Sequence, residues 1–309
     1  MTLSADSFDF VADLVRRRSA IQLTAGKEYL VESRLAPLAR ANGLDGVDAY
    51  VRSIRAAHRE ADYEIVVEAL TTNETSWFRD AAPVVALRNH IVPALTSERG
   101  SVDRLRVWSA ACSTGQEPYS IAMTLSEVLP AHSKVEIVAT DLSTQVLDRA
   151  RTGRYSQLEI NRGLPATMLV RHMQRSGTEW QISDQLRSSV SFVRHNLLDA
   201  PPAGAPFDVV FLRNVLIYFD IATKRAILGR VRRVLRPDGF LVLGAAETTL
   251  GVDDEWLRVP VDRSSVYRPS LHGRAAAPAA GTATSRLTTG LPQQAGMPQQ
   301  RATQLGGLR

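Results

Sequence analysis

The sequence lacks most of what a secreted, membrane-bound or metal-dependent protein uses for stability. A single cysteine, Cys112, excludes an internal disulfide framework and a cysteine-rich zinc site, and beside a small-residue turn with no activating base it reads as packing. No run approaches the roughly 18 apolar residues of a membrane span. The opening MTLSADSFDF (1–10) is acidic and has no apolar stretch flanked by basic residues, so no export signal and no membrane insertion are expected and the protein is placed in the cytoplasm. His58, His90, His132, His172, His195 and His272 are scattered without ligand-like spacing, which predicts no metal. Lysine is almost missing: only Lys27, Lys134 and Lys224 occur, so the basic residues are nearly all arginine, a compositional bias rather than a functional signal. Acidic residues are absent from 270–309, which carries Arg274, Arg286, Arg301 and Arg309. Without those four the chain holds 33 basic against 32 acidic residues, so most of the net charge of +5 belongs to the end of the chain and predicts no nucleic-acid surface.

What is present is ordinary for a globular protein: 44% hydrophobic and 22% charged residues in 309, enough for about two domains. Residues 1–83 read as a helical domain. Phe8, Val11 and Val15 follow a Ser4 cap, Leu30, Leu35 and Leu38 run up to Gly43, Val47, Val51 and Ile54 form a third helix, and Tyr63, Val66, Val67 and Leu70 a fourth. Residues 84–103 read as a connecting helix and linker. From 104 to 269, apolar strands (105–110, 135–140, 207–212, 240–245) alternate with helices (119–129, 144–151, 221–235), the last closed by Pro237, Asp238 and Gly239. That alternation predicts an α/β domain with a parallel sheet. Residues 152–195 interrupt it, with 179–182 and 190–193 read as short antiparallel strands of an inserted subdomain. The segment 270–309 is Ala, Gly, Pro, Thr and Gln with few large apolar residues, which predicts a disordered tail.

The informative stretch is VWSAACSTGQEPYSIAM (107–123): a strand, a turn of small residues, then a helix. Such a turn lets backbone amides approach a ligand at the carboxyl edge of a sheet. It is not GxGxxG, since Gly115 stands alone, so a dinucleotide is not the first expectation. Glu117 sits just beyond, suited to a cationic ligand or to the start of a helix dipole. About 25 residues on, VATDLS places Asp141 at a strand end, where a carboxylate accepts hydrogen bonds from ribose hydroxyls or caps the following helix.

TTNETSWFRD (71–80), ACSTGQEPYS (111–120), ATDLS, HNLLD (195–199), RNVLIYFD (213–220) and LRPDGFLVLGAAET (235–248) together resemble the CheR family of chemotaxis receptor methyltransferases, in order and spacing over roughly residues 1–268. The resemblance implies an α/β, Rossmann-like S-adenosylmethionine-dependent methyltransferase domain carrying an inserted antiparallel β-subdomain, preceded by an all-α N-terminal domain. It implies transfer of a methyl group to glutamate side chains on the cytoplasmic methylation helices of chemoreceptors, giving methyl esters and S-adenosylhomocysteine in sensory adaptation.

Position by position, the resemblance brings Asn73, Thr75 and Arg79 to the cofactor from a block in which Trp77 stands where relatives often have Phe. It gives Glu117 the amino-acid portion, Asp141 the ribose, Asn196 and Leu197 the adenine, and Asn214 and Val215 the pocket near the methyl group. Arg79 would orient the incoming carboxylate through a forked contact, and Tyr218 would place its hydroxyl beside the reacting oxygen. Arg52, Arg55 and Arg59, at i, i+3 and i+7, would give the third helix a positive face towards acidic receptor helices, or simply a solvated one. HMQRSGTEWQI (172–182) has one glycine where tether-binding relatives carry a glycine-rich extension, so no binding of a receptor C-terminal pentapeptide is expected. A small-molecule or RNA acceptor and a non-enzymatic scaffold are the alternatives. The first leaves the cofactor blocks in place but lacks a basic surface for RNA, and the second predicts eroded blocks, whereas Glu117, Asp141, Asn196 and Asn214 all remain.

Overall fold

A computed structural model describes residues 3–261 and 264–270, and residues 271–309 of the expected tail lie outside that range. The N-terminal part is built from α1 (Ala5–Ser19), α2 (Glu28–Ala41), α3 (Val47–Ala57) and α4 (Glu60–Ala69). The Ser4 hydroxyl accepts from the Ser7 amide and starts α1, while Ala20 turns left-handed to end it. The apolar spacing seen in the sequence becomes a buried cluster in which Val11, Val15, Val31, Leu35 and Val66 are fully enclosed. Arg59 lies one residue past the end of the third helix's His58 cap, at the start of α4, so the three arginines do not share one helix.

A helical run follows, α5 (Ala82–Ala86), a π-turn (Leu87–Ile91) and α6 (Val92–Arg99). It leads into β1 (Arg104–Ala110), α7 (Gln116–Val128), β2 (Lys134–Asp141) and α8 (Thr144–Thr152). The insert holds β3 (Arg154–Ser156), α9 (Gln157–Ile160), α10 (Ala166–His172), β4 (Met173–Ser176), β5 (Glu179–Ile182) and α11 (Asp184–Ser188). The chain then returns through β6 (Val190–Arg194), β7 (Phe207–Leu212), α12 (Ile221–Val234), β8 (Leu235–Leu243), β9 (Trp256–Val261) and β10 (Ser264–Pro269).

The main sheet has the order β6-β2-β1-β7-β8-β10-β9, and the insert's sheet the order β3-β5-β4. Three expectations change. Residues 190–194 do not belong to the antiparallel insert; they pair parallel with β2, Ile137 opposite Val190, and form the edge of the main sheet. Pro237, Asp238 and Gly239 do not close the helix: the helix stops at Val234, and these residues bulge out of β8, whose register jumps from Leu235 to Phe240. The sheet is mixed rather than parallel, because β10 runs antiparallel to β8 and β9 antiparallel to β10. At the centre of the sheet β7 is buried at every residue, since helices cover both faces, whereas the edge strand β6 buries only Val190.

Candidate active site

The carboxyl ends of β1, β2, β6 and β7 meet the end of α1 and the 71–80 segment around a cleft of about 880 Å³, part of it open to solvent. Asn73, Thr75, Arg79, Glu117, Asp141, Asn196, Leu197, Asn214, Val215 and Tyr218 all line it. Arg52, Arg55 and Arg59 do not. They are exposed on the helical domain, and each faces a carboxylate: Asp48, Asp6 and Asp62 respectively.

The turn after β1 is left-handed at Ala111 and Ser113 and at Gly115, with φ of 63°, 50° and 94°. The strain at Ser113 is held by contacts: its amide donates to Asp141 at 2.8 Å and its hydroxyl to the Asn73 carbonyl at 2.7 Å. Gly115 cannot be replaced there, because an added Cβ would sit 2.9 Å from the Tyr155 hydroxyl, which itself donates to the Thr114 carbonyl.

Asp141 ends β2 and accepts from the Ser113 and Ser143 amides at 2.8 and 3.0 Å. An ionised carboxylate offers about four acceptor positions, so capacity remains for hydroxyls in the cleft. Burial pushes its pKa up from 3.8, and the backbone N–H groups of Ser143 and Ser113 pull against that. Helix α8 takes its N-cap from Ser143, not from Asp141. Glu117 accepts from the Ser109 hydroxyl and from Arg213, both at 2.8 Å.

Arg213 is a residue the sequence did not single out. It is almost wholly buried, and it also donates to the Arg79 carbonyl at 2.8 Å and to Asp80 at 2.9 Å. One guanidinium therefore ties the 71–80 segment, the first turn of α7 and the end of β7 together. The signal in the sequence was an arginine closing an apolar strand, FDVVFLR. The side-chain amide of Asn196 donates to the Arg18 carbonyl at 2.6 Å, and its oxygen accepts from the Leu198 amide at 3.1 Å. Its side chain is thus engaged in holding the end of α1 to the loop after β6. Arg79 spends one N–H on the Glu74 carbonyl at 2.9 Å. Among the described residues nothing hydrogen-bonds the Tyr218 hydroxyl, which stays available in the cleft.

This set of acceptors and apolar walls suits a cationic nucleoside. Carboxylates stand at Glu117 and Asp141, while Ile21, Leu142, Leu197 and Val215 supply apolar walls for a base. Such a cleft on a helix-covered sheet defines an α/β nucleoside-binding protein, and comparison with known proteins gives its class as an S-adenosylmethionine-dependent methyltransferase. Residues 73–263 match the family model described as "CheR methyltransferase, SAM binding domain", and residues 6–71 match "CheR methyltransferase, all-alpha domain". "Chemotaxis protein methyltransferase 1" of Pseudomonas aeruginosa is 39% identical over 274 residues, 87% of this chain and 99% of that protein. "Chemotaxis protein methyltransferase Cher2" of Pseudomonas putida is 40% identical over 274 residues, 86% of this chain and 99% of that protein. A glycopeptide N-methyltransferase MtfA structure with S-adenosylmethionine covers 50% of this chain and 48% of that one at 19% identity and TM-score 0.30, too low to add to the assignment. This chain belongs to the CheR chemotaxis methyltransferase family, and its cofactor is S-adenosylmethionine.

Proposed function

We propose that the chain transfers a methyl group from S-adenosylmethionine to glutamate side-chain carboxylates of chemoreceptor methylation helices, giving methyl esters and S-adenosylhomocysteine. The observation that carries this reading is the free polar set that lines the cleft. Arg79 keeps most of its N–H groups, and among the described residues the Tyr218 hydroxyl has no partner; both line the cleft that Asp141 lines.

The cofactor supplies an activated sulfonium methyl, whose C–S bond breaks, with its electron pair going to sulfur, as the O–C bond forms. An acceptor glutamate, with a pKa of about 4.3, is already an anion at neutral pH and needs no general base. The protein's task is alignment and exclusion of water. Asp141 accepts from the ribose, Asn196 and Leu197 flank the adenine through their backbone and the Leu197 side chain, and Glu117 stands near the amino-acid portion. Asn73 and Thr75 reach the cofactor from the 71–80 segment, and Asn214 and Val215 complete the pocket near the methyl. Arg79 orients the carboxylate, and Tyr218 donates beside the reacting oxygen without becoming an acid catalyst.

Two finer points belong to the same reading. The hairpin from Ser176 to Glu179 turns on Gly177 and Thr178 alone, which supports recognition without a C-terminal pentapeptide. Docking through Arg52, Arg55 and Arg59 requires receptor carboxylates to take the place of Asp48, Asp6 and Asp62, an exchange of exposed ion pairs. Among the described residues no helix is long and apolar enough to cross a membrane, and a receptor's methylation helices would be met in the cytoplasm.

The test is transfer of labelled methyl from S-adenosylmethionine to purified receptor cytoplasmic fragments. Base-labile label on glutamate is expected; label on an amine, or none while a small molecule is methylated, would overturn the reading.

A further inference from the structure

Glu247 lies four residues past the end of β8, is 6% exposed, and has no cation beside it among the described residues. A buried carboxylate in that state is costly unless its oxygens are filled. Here they are filled by backbone alone. Oε1 accepts from the Val215 amide at 2.9 Å and the Leu216 amide at 2.7 Å, and Oε2 accepts from the Asn214 and Gly244 amides, both at 2.8 Å.

Three successive N–H groups thus converge on one anion, the arrangement of a backbone nest, and here the protein supplies the anion itself. The nest includes Asn214, which is left-handed at φ 58°, and it opens the 3₁₀ turn Leu216–Tyr218. Without an acceptor these amides would be orphaned and nothing would hold the strained residue. Gly244 makes room for the contact, since a Cβ there would stand 2.7 Å from Glu247 Oε2 and 3.0 Å from the Asn214 nitrogen.

We propose that Glu247 is a positioning residue for methyl transfer: its carboxylate fixes the Asn214–Tyr218 turn and so sets the Tyr218 hydroxyl and the Asn214 side chain against the reacting methyl. It touches no substrate itself. Asp141 is held by the Ser113 and Ser143 amides and not by the nest, so the effect falls on turnover more than on cofactor affinity.

In Glu247→Gln one oxygen becomes an NH2 that faces backbone donors, with little change of shape. Two measurements on the full chain are expected to move. The amides of 214–216 exchange with solvent at least about tenfold faster while those of β7 keep their rates. The kcat for receptor fragments falls at least about tenfold while the Kd for S-adenosylhomocysteine, by calorimetry, changes by less than about fivefold.

The turnover arm rests on the receptor-glutamate reading, which the parent's own activity tests; the exchange arm needs no acceptor. Should Glu247→Gln fail to fold, Gly244→Ala, which pushes the carboxylate away from the nest, is expected to give the same split. Unchanged exchange at 214–216, a kcat within about twofold of the parent in the folded variant, or equal losses of affinity and turnover would overturn the inference.

Discussion

The helical domain and the cleft use charge and strained backbone in opposite ways. In the helical domain the arginines of α3 and its flank are exposed and meet single carboxylates across the surface, and the left-handed non-glycine residues, Ala20 and His58, do no more than end helices. Around the cleft, Phe78, Asp80, Ala81, Ala111, Ser113 and Asn214 are left-handed, and the charged groups are buried against backbone or each other. Surface pairs contribute little each, whereas a buried charge that loses its partner is costly. The helical domain should therefore tolerate single changes and the cleft should not.

The sharpest contrast is at Arg213. Arg213→Ala leaves Glu117 without its cation and unties Asp80 and the Arg79 carbonyl, so a loss of about 3–5 kcal/mol is expected in denaturant unfolding. A loss under about 1 kcal/mol would place the site with the surface pairs. Gly163→Ala comes next: at φ 103° an added Cβ would lie 2.3 Å from the Trp77 carbonyl oxygen, so the 71–80 segment must shift. About 1–3 kcal/mol and a several-fold loss of S-adenosylhomocysteine affinity should show in melting and titration.

Asp141 sharpens the comparison through pH. Burial raises its pKa, so its contribution to folding stability falls as pH rises through that raised value. A ribose that needs the ionised acceptor pulls the pKa back down. Affinity for S-adenosylhomocysteine should therefore climb with pH above the ordinary value of 3.8, with proton release on binding, and Asp141→Asn should flatten that climb. The smallest effect is expected on the helical domain: reversing Arg52, Arg55 and Arg59 should weaken receptor methylation in a salt-sensitive way and leave cofactor affinity unchanged.

Sequence patterns had carried the local features and missed the long-range ones. Ser4, Leu35 and Val66 mark helices by spacing and capping, and Asp141 marks a strand end, because each depends on neighbours a few residues away. The partner of 190–194 could not be read locally, since the whole insert lies between β2 and β6 in the sequence. β9 stayed hidden because Trp256–Val261 contains Pro260 and lacks alternation. Arg213 and Glu247 escaped for a related reason: their partners, Asp80 and Asn214, lie 133 and 33 residues away.

The most direct measurement is calorimetric titration of S-adenosylhomocysteine into the folded full chain, into Asp141→Asn and into a variant with Arg52, Arg55 and Arg59 changed to Glu. The account predicts one site per chain, weakened about tenfold or more in the first variant and untouched in the second. No heat with the parent, or equal weakening in both variants, would contradict it.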